Sequence, residues 1–309
     1  MKYLVLVLGV LVAVQGGSVA NKTVHLCEGF AAKNDQIYPV GTKMSFGAFM
    51  NVPTGITEVE YNEMLDRVEA LLAPEVAAKG KTLIVNRLWT SSEANAYAHR
   101  EGDTWEIDMH GGLARHPIMS ADGYALVACH EMGHHLGGGP FHLMADPLSN
   151  EGQSDYYASL KCFRRLFTVQ ENREWAKTAE ISPLSKAECK IRFASQASQL
   201  ACMRAAQAGL NLGMVLSSLN SEPAVPAIGE LDKSIVKRTQ NFHPKAQCRV
   251  DTYFNGAVCN RRTDSKVSDT DYRAGSCEKV DGYTFGFRPR CWFAPADADP
   301  VLLDKVAAL

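Results

Sequence analysis

Apolar residues recur at helical spacing in the first part of the chain, over residues 58–72. They are Val59, Met64, Leu65, Val68, Leu71 and Leu72. Because positions three and four apart share one face of a helix, this spacing predicts an amphipathic helix that stops close to Pro74. Apolar runs at residues 82–89 and 104–109 predict strands, and a short strand is predicted at 95–98.

A second set of patterns predicts a long helical stretch and a linker further along the chain. Ser185 and Glu188 have the spacing of a capping box, and the alanine-rich sequence after them predicts a helical stretch that continues to about Leu219. Residues 221–226 contain two prolines and have the composition of a linker. The order of helix, strands and further helices predicts an α+β fold.

The first twenty residues have the pattern of an export signal. Lys2 gives a positive start, residues 4–14 are apolar, and Ser18 and Ala20 are small residues of the kind that a signal peptidase requires. No later stretch of the sequence reaches about 18 consecutive apolar residues. We therefore predict removal of residues 1–20, a secreted or periplasmic protein, and no membrane span in the mature chain.

Charge and cysteine content narrow the possible partners and the compartment. The 309 residues carry a formal net charge of −2, which provides no field for attracting nucleic acid. Nine cysteines favour an oxidising compartment. We predict that Cys129 alone is a buried free thiol and that the other eight form four disulfides, with about a hundred pairings left open. These eight are Cys27, Cys162, Cys189, Cys202, Cys248, Cys259, Cys277 and Cys291.

An HExxH motif lies on a predicted helix over residues 127–136, ahead of three glycines. Residues four apart share one face of a helix, so His130 and His134 are predicted to present two imidazoles to one metal ion. Glu131 points about 100° away from that direction and is the predicted general base for a metal-bound water. The motif therefore predicts a single catalytic Zn²⁺ site.

A catalytic zinc needs a third protein ligand and an open fourth position. Glu151 is the predicted ligand, because the pattern ExxxD places Glu151 and Asp155 one helical turn apart. Asp155 would then accept the outer ring N–H of a ligand histidine and fix its tautomer. The alternative is a metzincin arrangement with His142 as the third ligand. Gly137 fits that pattern, but Pro140 occupies the position of its histidine.

With three further segments, these motifs resemble metallopeptidase family 48 of the gluzincin clan, the family of the CAAX prenyl endopeptidase and the bacterial heat-shock membrane peptidase. The segments are Asn95-Ala96-Tyr97-Ala98, Gly111-Gly112-Leu113 and His243-Pro244-Lys245-Ala246-Gln247-Cys248-Arg249. They are similar to the family's NAxA, GLL and HPxxxxR and follow the same order, over about residues 60–255. The sequence departs from the family by adding a cysteine-rich tail and by lacking its transmembrane helices.

The resemblance implies a gluzincin-like zinc peptidase core, made of a small mixed sheet and active-site helices, with a disulfide-rich C-terminal extension. It implies that His243 lies near the oxyanion of the reaction and that Arg249 steadies the site. It also implies that an extended substrate pairs with an edge strand, whose residues are Asn95, Ala96, Tyr97 and Ala98.

The predicted function is that of a zinc-dependent endopeptidase acting on peptide or protein substrates. A peptidase domain is expected over residues 21–220, a linker over 221–240, and over 241–309 a cysteine-rich segment that completes the active site. The alternative is a secreted binding module that holds zinc for structure only. Structural zinc sites are closed by four protein ligands, whereas this set has three and retains Glu131, which favours the enzyme.

Overall fold

The computed structural model describes residues 29–32, 34–46, 50–53, 55–142 and 148–295, which contain five β-strands and eight α-helices. The strands are β1 (Lys43–Phe46), β2 (Met50–Pro53), β3 (Thr82–Leu88), β4 (Ala96–Glu101) and β5 (Thr104–His110). The helices are α1 (Glu58–Ala77), α2 (Gly111–Ala114), α3 (Ala121–Leu136), α4 (Glu151–Tyr157), α5 (Val169–Thr178), α6 (Pro183–Arg192), α7 (Gln196–Leu219) and α8 (Ala246–Val258). A π-helical turn (Ala158–Cys162) and a 3₁₀ turn (Phe163–Arg165) continue α4, and another 3₁₀ turn spans Lys279–Asp281. The predicted α+β class is confirmed.

Three strands form a mixed sheet in the order β3-β5-β4, so that β4 lies at one edge. Strand β3 runs parallel to β5, whereas β4 is antiparallel to it. The strands predicted at 82–89, 104–109 and 95–98 are all present, although the last one begins at Ala96 and continues to Glu101. Every second side chain of β5 is buried, on the side of the sheet that faces the helices. β1 and β2 form a separate antiparallel pair.

Helix α1 is longer than its hydrophobic pattern predicted. Thr57 caps it with a capping box, in which the Thr57 hydroxyl accepts from the N–H of Glu60 and the Glu60 carboxylate accepts from the N–H of Thr57. The helix passes through Pro74 and ends at Ala77. Proline removes one helical hydrogen bond there, but its own carbonyl still accepts from the N–H of Ala78, so the last turn is retained.

The helical stretch predicted from Ser185 to about Leu219 is present, but it consists of two helices. Helix α6 ends at Arg192, and α7 starts at Gln196 after a three-residue break. The hydroxyl of Ser195 accepts from the N–H of Ser198 and caps the second helix. The capping-box spacing at Ser185 is a coincidence, since α6 already begins two residues earlier, at Pro183.

Four disulfides connect eight of the described cysteines. The pairs are Cys129–Cys162, Cys189–Cys202, Cys248–Cys291 and Cys259–Cys277. The prediction of a free Cys129 is therefore wrong. Helix α3 packs against the π-helical turn, and this brings the Cα atom of Cys162 within 5.6 Å of that of Cys129, a normal separation for a disulfide. The disulfide prediction holds for seven of the other cysteines, while Cys27 lies outside the described residues.

Helix α3 belongs to the main hydrophobic core and packs against strands β4 and β5 and against helices α1 and α7. Every residue from Gly123 to Leu136 is buried. The stretch after α7 is irregular and contacts the end of the described chain, since the N–H of Val236 donates to Arg290 O and the N–H of Gln240 to Trp292 O.

In the part of the chain that the structure describes, none of the helices has the length and apolar character needed to cross a membrane. The predicted signal, residues 1–20, lies outside that part, and the division into domains stays a prediction.

Candidate metal centre and active site

The HExxH motif occupies the second half of α3, which is fixed at both ends. At its start, the hydroxyl of Ser120 accepts from the N–H of Gly123, and after its end Gly138 turns the chain with a φ of 69°. His130 and His134 are one turn apart, and their rings meet edge to face with 4.7 Å between centroids. Both side chains are fully buried. The helix therefore presents two imidazoles together inside the core.

Glu151 completes a compact set of donors with these histidines. It is the first residue of α4, where the Asn150 side chain accepts from the N–H of Gln153 and caps the helix. The Nε2 atoms of His130 and His134 are 3.1 Å apart, and the Glu151 carboxylate oxygens lie 3.3 Å from the first and 3.6 Å from the second. Zinc bonds of about 2.0–2.1 Å place tetrahedral ligands about 3.3 Å from one another. The two imidazole nitrogens and the Glu151 carboxylate thus lie close enough together to hold one metal ion, since one donor atom of each residue is within 4.8 Å of the other two.

Two carboxylates of this site are buried without hydrogen-bond partners among the described residues. They are Glu131 and Glu151, whose side chains expose about 1% of their surface or less. Removing an unpaired carboxylate from water costs several kcal/mol, which a bound cation offsets. Two imidazole nitrogens and one carboxylate oxygen form a donor set that suits zinc. The residues present therefore fit a zinc ion.

Two other groups of side chains come close enough together to hold a metal, but they suit one less well. One group contains Cys248 and Cys291, which are joined in a disulfide and offer no thiolate. The other contains Glu106 and Asp108 on β5, together with a histidine of β4. The side-chain amide of Asn86 donates to both of these carboxylates, at 2.9 and 2.7 Å, so they are already hydrogen-bonded.

The outer ring nitrogens of the two histidines are held by acceptors. His130 Nδ1 lies 2.8 Å from an Asp155 carboxylate oxygen, and His134 Nδ1 lies 2.7 Å from the carbonyl oxygen of Ser149. A ring that donates through Nδ1 keeps a lone pair on Nε2 for a metal. Asp155 therefore has the contact predicted for it from the ExxxD spacing, and Ser149 has the same role for the second ring.

Asp155 is the centre of a buried network that includes Arg249. The Arg249 guanidinium donates through Nε and Nη2 to the two carboxylate oxygens of Asp155, at 2.8 and 2.7 Å, and the Tyr253 hydroxyl donates to one of them. Burial alone would raise the pKa of Asp155, but the guanidinium holds that pKa below its ordinary value. Arg249 thus lies behind His130 and is bound to both carboxylate oxygens of Asp155. The sequence did not single out Tyr253.

His243 lies against the carboxylate of Glu151. Its Nε2 atom is 3.4 Å from a Glu151 oxygen and donates to the carbonyl oxygen of Gly29 at 2.6 Å. Burial alone would raise the pKa of Glu151, but the neighbouring imidazole of His243 holds that pKa well below its ordinary value. His142 lies on the other side of Glu151, with its Nε2 atom 4.0 Å from the second carboxylate oxygen. It borders the three-donor set without belonging to it.

Burial and neighbouring charges shift the pKa values of the remaining groups of the site. Burial lowers the pKa of His134 to about 3, which keeps this imidazole neutral. Burial would also lower the pKa of His130, but the Asp155 carboxylate raises it to about 9. Burial raises the pKa of Glu131 to about 8, and the charge of Glu151 adds to this effect. Zinc binding would therefore displace a proton from His130.

The edge strand predicted to bind substrate begins next to this site. Its predicted residues are Asn95, Ala96, Tyr97 and Ala98, of which the last three belong to β4. The Asn95 side chain accepts from the N–H of Ala31 at 2.9 Å and donates to the carbonyl of Ala31 at 3.2 Å. The N–H of Phe30 donates to the carbonyl oxygen of Ala96 at 2.9 Å. No pattern in the sequence indicates this contact, because the two segments are more than sixty residues apart.

No protein family model matches this chain, and neither the curated proteins nor the solved structures include a match. The resemblance to metallopeptidase family 48 therefore rests on the sequence motifs alone.

Proposed function

We propose that the protein is a zinc-dependent endopeptidase. The observation that carries the proposal is the buried set His130, His134 and Glu151, whose donor atoms lie close enough together to hold one metal ion, beside the buried carboxylate of Glu131. Three protein donors leave a fourth position for water or substrate, as catalytic zinc sites require. A structural site would have a fourth protein ligand and no use for an unpaired glutamate.

Each residue then has a defined part in hydrolysis. When bound, zinc supplies a Lewis acid that acidifies water, polarises the scissile carbonyl and favours the ionised form of Glu131. Glu131 accepts a proton from the attacking water as the new C–O bond forms, and it delivers that proton to the leaving amine as the C–N bond breaks. The His243 N–H donates to the oxygen that becomes negative in the transition state. The products are a carboxylate and an amine.

The surroundings of the site support a peptide as the substrate. Strand β4 lies at one edge of the three-stranded sheet, and an edge strand is the kind of element that binds an extended chain through main-chain hydrogen bonds. The four disulfides favour an oxidising compartment, so we include secretion or export to a periplasm in the proposal. A gluzincin-type core related to metallopeptidase family 48 is the arrangement most consistent with the order of the motifs.

Metal analysis combined with a cleavage assay tests this function. We expect one zinc per purified chain, cleavage of a mixed peptide library, loss of cleavage with a chelator and its return with added zinc. The Glu131→Gln variant, purified in parallel, controls for a contaminating protease because it should keep its zinc and show no cleavage. A zinc-replete preparation without bound metal, or a Glu131→Gln variant as active as the parent, would contradict the proposal.

A further inference from the structure

A stretch near the start of the described chain runs alongside the strand that leads into the active site. Ile37 forms an antiparallel bridge with Glu93, and the N–H of Tyr38 donates to the carbonyl of Ser92. Nearer to the site, Phe30 makes its main-chain hydrogen bond to Ala96. The stretch therefore runs antiparallel to the residues that precede β4, and it reaches Ala96, the first residue of that edge strand.

Residues 29–31, which we call the N-terminal segment, make contacts with the candidate catalytic groups. The carbonyl oxygen of Gly29 accepts from His243 at 2.6 Å, and that of Phe30 accepts from Arg249 at 2.6 Å. The ring of Phe30 meets His130 edge to face, with 5.2 Å between centroids, and the Arg249 guanidinium lies over the same ring at 4.6 Å. The Phe30 side chain is completely buried.

We propose that the N-terminal segment occupies the peptide position of the cleft and inhibits the enzyme as an intramolecular ligand. The inference rests on the proposed function. A bound substrate needs a main-chain hydrogen bond to the edge strand, a carbonyl oxygen at the oxyanion donor and a side chain in a pocket beside the metal ligands. Phe30 bonded to Ala96, and Gly29 bonded to His243, meet all three conditions. While they are in place, a substrate carbonyl cannot reach His243.

The segment also indicates which peptides the cleft accepts. A methyl group on Gly29 would lie 2.7 Å from the side chains of both Asn95 and Tyr97, and Gly29 has a φ of 91°. Only glycine fits such a position without displacing its neighbours. The pocket of the following residue encloses the Phe30 ring between the imidazole of His130 and the guanidinium of Arg249. An edge-to-face ring contact and a cation over a ring face both favour an aromatic side chain there. The peptides that can replace the segment therefore contain glycine followed by an aromatic residue.

The Gly29→Ala variant tests the proposal, because the added methyl group pushes the segment away from Asn95. Gly41→Ala is the matched control, since Gly41 has a similar φ of 85° with no heavy atom within 4 Å of the added carbon. Both changes are made in a Glu131→Gln background loaded with zinc, and the probe is a labelled peptide, Glu-Gly-Phe-Ala-Ala-Lys, followed by fluorescence anisotropy. We expect it to bind at least tenfold more tightly to Gly29→Ala than to Gly41→Ala.

Phe30→Ala is the second variant, in case the methyl group at position 29 prevents folding. This change removes the aromatic side chain from the N-terminal segment, whereas the labelled peptide still has its phenylalanine. The Phe30→Ala variant should therefore also bind the peptide at least tenfold more tightly than Gly41→Ala does. A peptide with alanine in place of phenylalanine should bind to neither variant. If neither variant binds the phenylalanine peptide more tightly than the control, the segment is not an occupant of the cleft.

Cleavage measured with Glu131 intact separates this inference from the proposed function. We expect the library to be cleaved at least tenfold faster by Gly29→Ala than by Gly41→Ala, with equal zinc content. If the peptide binds more tightly as expected but no variant cleaves the library, the N-terminal segment occupies the cleft and the protein is not a peptidase. If Gly29→Ala and Gly41→Ala cleave the library equally fast and bind the peptide equally well, the protein is a peptidase but the segment does not occupy its cleft.

Discussion

We propose that the buried pair of Arg249 and Asp155 is the contact through which a distant helix supports the candidate metal ligand His130, and Arg249→Met tests this role. Arg249 belongs to α8, whereas Asp155 belongs to α4 and holds the ring of His130. Methionine fills most of the space of arginine but offers no donor. The change would therefore leave a fully buried carboxylate without its cation and without two charge-assisted hydrogen bonds.

The losses of stability and of metal affinity expected for Arg249→Met follow from the burial of both side chains of the ion pair. Removing one partner of a buried, hydrogen-bonded ion pair costs about 3–5 kcal/mol of unfolding free energy. Removing support behind a ligand histidine lowers metal affinity by about 10- to 100-fold. Adding Asp155→Asn to Arg249→Met removes the stranded charge, so the double variant should cost less than the sum of the single ones, by about 2 kcal/mol.

Urea unfolding with the disulfides intact, and zinc competition with a chromophoric chelator, measure the two effects separately. Arg273→Met is the matched control, because Arg273 makes a 3.0 Å pair with Asp271 in which both side chains are about half exposed. Such a surface pair contributes less than about 1 kcal/mol. If Arg249→Met costs no more than Arg273→Met and binds zinc as the parent does, the network around Asp155 does not position the ligand.

Further predictions concern the roles of the acidic residues, the pH dependence and the disulfides. Glu131→Gln should keep its zinc and lose cleavage, whereas Glu151→Ala should lose zinc affinity; equilibrium dialysis against zinc together with the peptide assay decides both. Burial lowers the pKa of His116 to about 4, below the unfolded value, so the unfolded chain binds more protons here and acid destabilises the fold. Between pH 7 and pH 5 this group should remove about 2 kcal/mol of unfolding free energy, a loss that His116→Gln should not show in urea titrations at the two pH values. Non-reducing peptide mapping should find Cys129 linked to Cys162, and replacing both by alanine should lower the unfolding free energy by about 3 kcal/mol; recovery of carboxymethylated Cys129 from the unreduced, denatured protein would contradict the pairing.

Those parts of the site whose residues are neighbours along the chain could be predicted from the sequence. His130 and His134 contact each other because a helix places residues four apart on one face, and α3 includes the helix that was predicted for the HExxH motif. Glu151 and Asp155 are one turn apart on α4 for the same reason. The strand at residues 104–109 was also predictable, because apolar and polar positions alternate there.

Contacts between distant segments could not be predicted, because no periodicity encodes them. Arg249 lies 94 residues from Asp155, and the sequence offered only a resemblance for its role. Cys129 has nothing in its local sequence to show that the π-helical turn carrying Cys162 packs against it. Phe30 gave no signal either, although its ring touches a candidate metal ligand.

The disulfide between Cys129 and Cys162 has a consequence for how the metal site assembles. Its ends are 33 positions apart, and His130, His134 and Glu151 all lie between them. The oxidised chain therefore keeps the three donors within one covalent ring even when every non-covalent contact is lost. Ring closure shortens the path between any two of them and raises the effective concentration of each donor around the others. If the proposed site binds zinc, a chain that has already formed this bond would search a smaller set of conformations to capture the ion than a reduced chain would.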